Sequence, residues 1–247
     1  MGKIILVTSG KGGTGKSTFT VNCGTALALL GQKVLLIDTD AGLRALDMML
    51  SVSDEVVYDL ADVLDNRCKA SMAILQTHCT NLSLLPAPST NEEPFSVKAF
   101  QRLCQGLSRY FDIILLDSPA GCGAWAQSAA QAADQALVIA TADPVSIRDA
   151  DVIAGKILSN HLSNIRLIIN RVQPRILQKK LHGGLDTVID AAAVQLIGII
   201  PEDDRITLAA FDGHPIVRST AARNGAARAF CNIARRLLGE NVPLYKM

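Results

Sequence analysis

The 247-residue chain has no excess of charge of either sign, because 24 lysines and arginines stand against 23 acidic residues and leave a net charge of +1. It therefore carries no whole-molecule field for gripping nucleic acid or an anionic membrane, and sequence-specific nucleic-acid binding is not expected. The six cysteines, Cys23, Cys68, Cys79, Cys104, Cys122 and Cys231, include no C-x-x-C pair. The N-terminus runs directly into an apolar strand pattern rather than an export signal, which points to a reducing cytoplasm. No apolar run approaches the roughly 20 residues that span a bilayer, so membrane contact is expected to be peripheral at most. Internal repeats, low-complexity tracts and a linker are also missing, and one domain over residues 1–247 is the expectation.

What is present is a recurring alternation. Short runs rich in valine, isoleucine and leucine occur at Ile4–Thr8, Val34–Ile37, Leu82–Leu85, Ile113–Leu116, Ala136–Thr141, Ile165–Ile169 and Leu196–Ile200. They read as buried strands. Helical stretches at Ser17–Leu30, Phe95–Tyr110, Ala124–Ala133 and Val145–Leu158 lie between them. The pattern predicts an α/β fold with a doubly wound, mostly parallel sheet covered by helices on both faces. Its ligand should sit beyond the carboxyl ends of the strands. Gln173–Gly184 is the least regular stretch and reads as a polar loop.

Directly after the first strand, Gly10-Lys11-Gly12-Gly13-Thr14-Gly15-Lys16-Ser17 satisfies the G-x-x-x-x-G-K-[ST] phosphate-loop pattern and opens a helix that continues through Thr18. Glycines let the backbone curl so that successive N–H groups converge on phosphate oxygens, and the helix adds its positive end. Lys16 is placed to neutralise the outer phosphates, and the Ser17 hydroxyl suits Mg²⁺, a hard ion that takes oxygen ligands. Two further strand ends carry acids. Val34–Ile37 runs into Asp38-Thr39-Asp40, and Ile113–Leu116 runs into Asp117-Ser118-Pro119-Ala120-Gly121. Asp38 and Asp117 are candidate metal ligands and Asp40 a candidate water-positioning group. Taken singly, an acid at a strand end often only caps the next helix.

Lys11 adds a second cation inside the loop, and on the loop pattern alone it could be a solvated lysine. The string KGGTGKST, however, resembles the deviant Walker A box of the MinD/ParA superfamily, in which the early lysine reaches the nucleotide of a partner subunit. That resemblance implies an ATPase with ATP and Mg²⁺ bound between two copies of the chain, with Lys11, Lys16 and Asp40 as catalytic residues. The segments 40–47 (DAGLRALD), 56–59 (VVYD), 117–121 (DSPAG), 146–151 (SIRDAD) and 199–203 (IIPED) carry the likeness through most of the chain. They favour the MinD branch over the chromosome-partitioning ParA proteins, with flagellar-number regulators as the nearest rival. The same resemblance puts Asn170 and the Pro201-Glu202-Asp203 turn beside the adenine base. It also offers Arg148, Asp149 and Asp151 to MinC-like or MinE-like partners, although such charges could equally be a solvated helix face.

Some positions depart from the family pattern. Ala45 replaces the usual asparagine, and Cys122-Gly123-Ala124-Trp125 follows the second acidic loop. Cys122 leaves open an iron–sulfur relative, and a non-hydrolysing scaffold is a further alternative. The basic amphipathic extension typical of the MinD branch is not found after 233–239 (IARRLLG), so membrane binding is expected to be weak or to depend on a partner. Helix-compatible apolar residues from Phe230 to Leu238 are read as core packing rather than as an anchor.

Overall fold

The strand runs are apolar on both faces because helices cover both, and the computed structural model shows the consequence. It describes residues 1–41, 44–89, 96–121, 123–158, 162–173, 194–219 and 224–244. In chain order the elements are β1 (Lys3–Thr8), α1 (Lys16–Leu29), β2 (Val34–Asp38), α2 (Ala45–Met49), α3 (Leu60–Leu64), α4 (Ala70–Ala73), β3 (Leu75–Gln76), β4 (Leu82–Leu85), α5 (Val97–Leu107), β5 (Ile113–Asp117) and α6 (Ala124–Ala132). They continue with β6 (Gln135–Thr141), α7 (Pro144–Leu158), β7 (Ile165–Val172), β8 (Leu196–Pro201), α8 (Arg205–Phe211) and α9 (Gly225–Leu237).

All seven expected strands form. With β3 they make one sheet in the order β3-β4-β2-β5-β1-β6-β7-β8. Every pairing is parallel except β3 with β4, whose two residues form a short antiparallel edge. β5 and β1 are neighbours, yet the chain runs from β1 to β2 on one side and from β5 to β6 on the other, so the connections diverge between them. Such a switch point opens a crevice at the carboxyl ends of the strands. The loop after β1 occupies it.

Alternate residues of each strand feed separate cores. Ile5, Val7, Leu36 and Leu115 pack towards α1 and α9, while Leu6, Leu35, Ile37 and Leu116 pack towards α5, α6 and α7. α9 is docked, not loose. Phe230 is fully buried with its ring centroid 6.1 Å from that of Phe19 on α1, and Ile233 and Ala234 are buried beside it. Arg236 donates to the carbonyls of Ile197 and Val242, each at 2.7 Å, which ties α9 to β8 and to the stretch that follows it. The core reading of this helix therefore holds, because undocking would return about 1.5–3 kcal/mol of apolar burial per large side chain to water. Among the described residues no helix is long and apolar enough to cross a membrane.

The expected helix at 95–110 is shorter, at Val97–Leu107, and four short helices (α2, α3, α4 and α8) form where none was expected. Phe95, most of the 173–184 loop, Gly42, Leu43, Cys122 and residues 245–247 lie outside the described residues.

Candidate nucleotide site

The loop between β1 and α1 takes its shape from glycine. Gly13 and Gly15 have φ of 76° and 91°, a left-handed conformation that residues with a side chain rarely adopt. Left-handed residues alternating with others turn successive N–H groups to one side and form an anion cradle. Gly15 is the N-cap of α1, and no side chain caps the first turn, which holds no acidic residue. Its N–H groups thus keep the need for an acceptor that a phosphate would meet. The Thr14 hydroxyl is buried inside the loop without a hydrogen-bond partner among the described residues, a second sign that the loop is shaped for an added acceptor.

Lys16 is buried, only 7% exposed. Burial lowers its pKa, and the nearby carboxylates of Asp117 and Asp40 pull it back up. Lys11, five residues earlier, behaves differently. Its side chain is 40% exposed and its ammonium lies 3.4 Å from Asp143, the residue before α7. The two loop lysines thus face different surroundings: one is sunk beneath the cradle and the other stands at its rim.

The acids converge on the first turn of α1. Asp38 and Asp117 are register partners on adjacent strands, and both are buried. Asp117 accepts from the Ser17 hydroxyl at 2.6 Å and from the Thr20 hydroxyl at 2.9 Å. Burial raises its pKa to about 6 against these hydrogen bonds. Asp38 accepts from the N–H groups of Asp40 and Leu46, and burial together with the Asp117 charge pushes its carboxyl well above the ordinary range. Two adjacent buried carboxylates, each raised by burial and Asp38 also by the charge of Asp117, are what a divalent cation relieves. Ser17, Asp38 and Asp117 supply oxygen donors only, and no group of three or more His, Cys, Asp or Glu side chains able to hold a metal occurs among the described residues. Such a partial set fits Mg²⁺ shared with phosphates. Asp40 sits half-buried, its pKa raised by burial and lowered by Lys16, which places its carboxylate on the same side as the loop lysine.

On the other side of the loop a cleft of about 360 Å³ is lined by Gly13, Gly15, Thr18, Asn170, Glu202 and Asp203, among others including Pro201. Asn170 is buried and donates its amide to the Thr14 carbonyl at 2.8 Å, so it also braces the phosphate loop. Glu202 accepts from Arg171 and Gln173, and Asp203 pairs with Arg205 at 2.6 Å while accepting from the Ala226 N–H at the start of α9. One loop thus separates a charged, oxygen-rich pocket from a roomier cleft, the division a nucleotide needs between its phosphates and its base.

A model of the CobQ/CobB/MinD/ParA nucleotide-binding domain matches residues 5–216. The chain belongs to this family. Within the MinD/ParA family it is 37% identical to the septum site-determining protein MinD of Bacillus subtilis, over 99% of this chain and 92% of that one. It is 39% identical to the MinD of Synechocystis over 98% and 92% of the two chains. Among solved structures, MinD in the MinC:MinD cell division complex of Aquifex aeolicus superposes with a TM-score of 0.91 at 37% identity, covering 99% of this chain and 98% of that one. The MinD of Pyrococcus horikoshii complexed with Mg-ADP gives 0.83 at 29% identity, with 98% and 100% covered. The family's P-loop architecture is the doubly wound sheet described above.

The structure brings together the sequence candidates Gly10, Lys11, Gly12, Gly13, Thr14, Gly15, Lys16, Ser17, Thr18, Asp38, Asp40 and Asp117 around one loop, with Asn170, Pro201, Glu202 and Asp203 beyond it. Arg148 and Asp151 are exposed on α7, whereas Asp149 is half-buried against the backbone of Gly10. Sequence reasoning missed Thr20, Thr39 and Asp143. Thr20 and Thr39 both hold the Asp117 residue, the latter through its carbonyl at 2.7 Å. The three-residue spacing of Ser17 and Thr20 on one helix face could have signalled the first. Nothing in the sequence signals Asp143.

Proposed function

We propose that the chain is an ATP-dependent dimerisation switch that hydrolyses ATP to ADP and phosphate and acts in placing the division septum by recruiting partner proteins. The observation that carries the reading is the contrast between the two loop lysines: Lys16 is buried within its own cradle, while Lys11 stands at the rim where a second copy can be met. Similarity to septum site-determining proteins over nearly the whole chain supports the cellular role.

In this reading the chain works as one domain, and it performs little covalent chemistry. Catalysis comes from positioning and charge stabilisation. Lys16 of one copy and Lys11 of the other stabilise charge on the transferred phosphoryl group. Ser17, Asp38 and Asp117 hold Mg²⁺, which neutralises phosphate charge when bound. Asp40 orients the attacking water, and the 360 Å³ cleft takes the base, with Asn170 and the Pro201–Asp203 turn at its wall.

Helix α7 is the partner surface. Exposed Val145 and Val152 lie seven residues apart on one face beside Arg148 and Asp151, which gives an apolar centre with a charged rim. The MinC:MinD complex of Aquifex aeolicus supports a MinC-like partner, and a MinE-like protein would compete for the same surface. The chain operates in the cytoplasm, and its contact with the inner membrane face is peripheral.

The test combines light scattering and phosphate release. Wild-type chain should double its mass in ATP and Mg²⁺, stay monomeric in ADP, and release phosphate only under the first condition. A monomer in saturating ATP removes the switch. Deleting the gene in its own host should move septa away from their normal position, and altered flagellar number with normal septa would favour the flagellar regulators instead.

A further inference from the structure

Lys11 and Asp143 are 132 residues apart in sequence, yet the Lys11 ammonium lies 3.4 Å from both oxygens of the Asp143 carboxylate. Each partner is set in place independently of the other. The Ser9 hydroxyl donates to the Lys11 carbonyl at 2.7 Å and fixes the backbone from which the lysine leaves. Gly10, between them, is seated on α7: a Cβ there would stand 2.3 Å from the Asp149 Cβ and 2.9 Å from its carbonyl oxygen, so only glycine permits the approach. Asp143 is the helix cap. Its Oδ1 accepts from the Ser146 N–H at 2.9 Å and its Oδ2 from the Thr141 hydroxyl at 2.5 Å. Burial, which favours the protonated acid, is outweighed by these hydrogen bonds and by Lys11, so the carboxyl stays below its ordinary range.

The pair is nevertheless open to water, with the two side chains 40% and 42% exposed. Water screens such a pair, so it holds its lysine reversibly rather than locking it. We propose that Asp143 is a positioning residue for the nucleotide step. It keeps Lys11 on its own subunit until a second, nucleotide-loaded copy presents phosphate oxygens, and the two acceptors then compete for one ammonium. The inference rests on the dimerisation switch proposed above. Because Asp143 also caps α7, release of Lys11 changes the charge at the end of the helix proposed to meet partners, while Gly10 keeps loop and helix in register.

Asp143→Asn tests this, since asparagine caps helices as well as aspartate but carries no charge. The first measurement is the acylation rate of Lys11 in the nucleotide-free chain, followed by mass spectrometry, with exposed Lys33 and Lys69 as internal references. Losing an exposed ion pair should raise that rate about 1.4- to 5-fold, with the reference lysines and Tm unchanged. The second is ATP-driven dimerisation. Each dimer breaks two such pairs, so the variant should associate roughly 2- to 25-fold more tightly than wild type in ATP and no differently in ADP. An unchanged Lys11 acylation rate, or dimerisation no tighter than that of wild type, overturns the inference while leaving the switch intact. A wild-type chain that stays monomeric in ATP overturns the switch and this role of Asp143 with it, whatever the acylation rate.

Discussion

The Ser17 hydroxyl donates to Asp117 Oδ2 at 2.6 Å, which joins the first turn of α1 to the end of β5. Thr20 holds the second carboxylate oxygen at 2.9 Å, so the group proposed to meet Mg²⁺ is oriented before any metal arrives. Asp117→Asn keeps the shape and removes the charge. Its Mg²⁺-dependent nucleotide affinity should fall about ten- to a hundredfold, the scale of one charge-assisted contact. Titration of a fluorescent ATP analogue with and without Mg²⁺ measures this, and an unchanged Mg²⁺ dependence would take Asp117 out of the metal site.

Binding and turnover should separate at the two loop lysines. Lys16→Ala removes the buried cation of the cradle and should abolish ATP binding. Lys11→Ala should bind ATP normally yet neither dimerise nor turn over. Calorimetry and phosphate release distinguish the two variants, and normal turnover by Lys11→Ala would end the cross-subunit role.

Asp40 is half-buried near Lys16 and is proposed to act on water rather than on the nucleotide. Asp40→Ala should therefore accumulate as an ATP-bound dimer with turnover down at least about a hundredfold, the range of a positioned general base. Size-exclusion chromatography in ATP gives the answer. A monomeric variant would mean that Asp40 serves assembly.

The Phe19–Phe230 contact joins α1 to α9 in a fully buried setting. Phe230→Ala should cost about 3–5 kcal/mol and lower Tm by roughly 6–20 °C in a chain of this size. Scanning calorimetry reads the shift. A loss below about 1 kcal/mol would show that α9 contributes little to the fold.

Acid should weaken the clip between β8 and α9. The Arg205 guanidinium holds the Asp203 carboxyl below its ordinary range against the effect of burial, and the Ala226 N–H adds to this. A carboxyl depressed in the folded state stabilises above its unfolded pKa of about 3.9, and that stability is lost as pH falls through the lower folded value. Asp203→Asn should thus be less stable than wild type at pH 7 and converge with it in strong acid. Urea unfolding at several pH values tests the convergence, and a gap that stays constant with pH would assign the loss to shape rather than charge.

The strand runs, the phosphate loop and the acids at Asp38, Asp40 and Asp117 were all readable from the chain, because each is written in contiguous residues. Apolar runs bounded by turns dictate a two-sided parallel sheet, and a glycine-rich turn between strand and helix dictates an anion cradle. Short helices such as α2 and α8 were not readable, since five to seven residues carry too little periodicity to mark a face. The partners of the site were also hidden. Thr20 and Thr39 hold Asp117 from different elements, Asn170 braces Thr14 across 156 residues, and Asp143 receives Lys11 across 132. Such pairings depend on sheet order, and β6, β7 and β5 become neighbours of the phosphate loop only when the crossovers are made. The sequence by itself determined the glycine-rich loop with its two lysines and the acids at the strand ends, but not Thr39 or Asp143. Tertiary structure decided what each one touches, because a carboxylate, an amide and an ammonium recognise one another through distance and burial, and neither is encoded in local spacing.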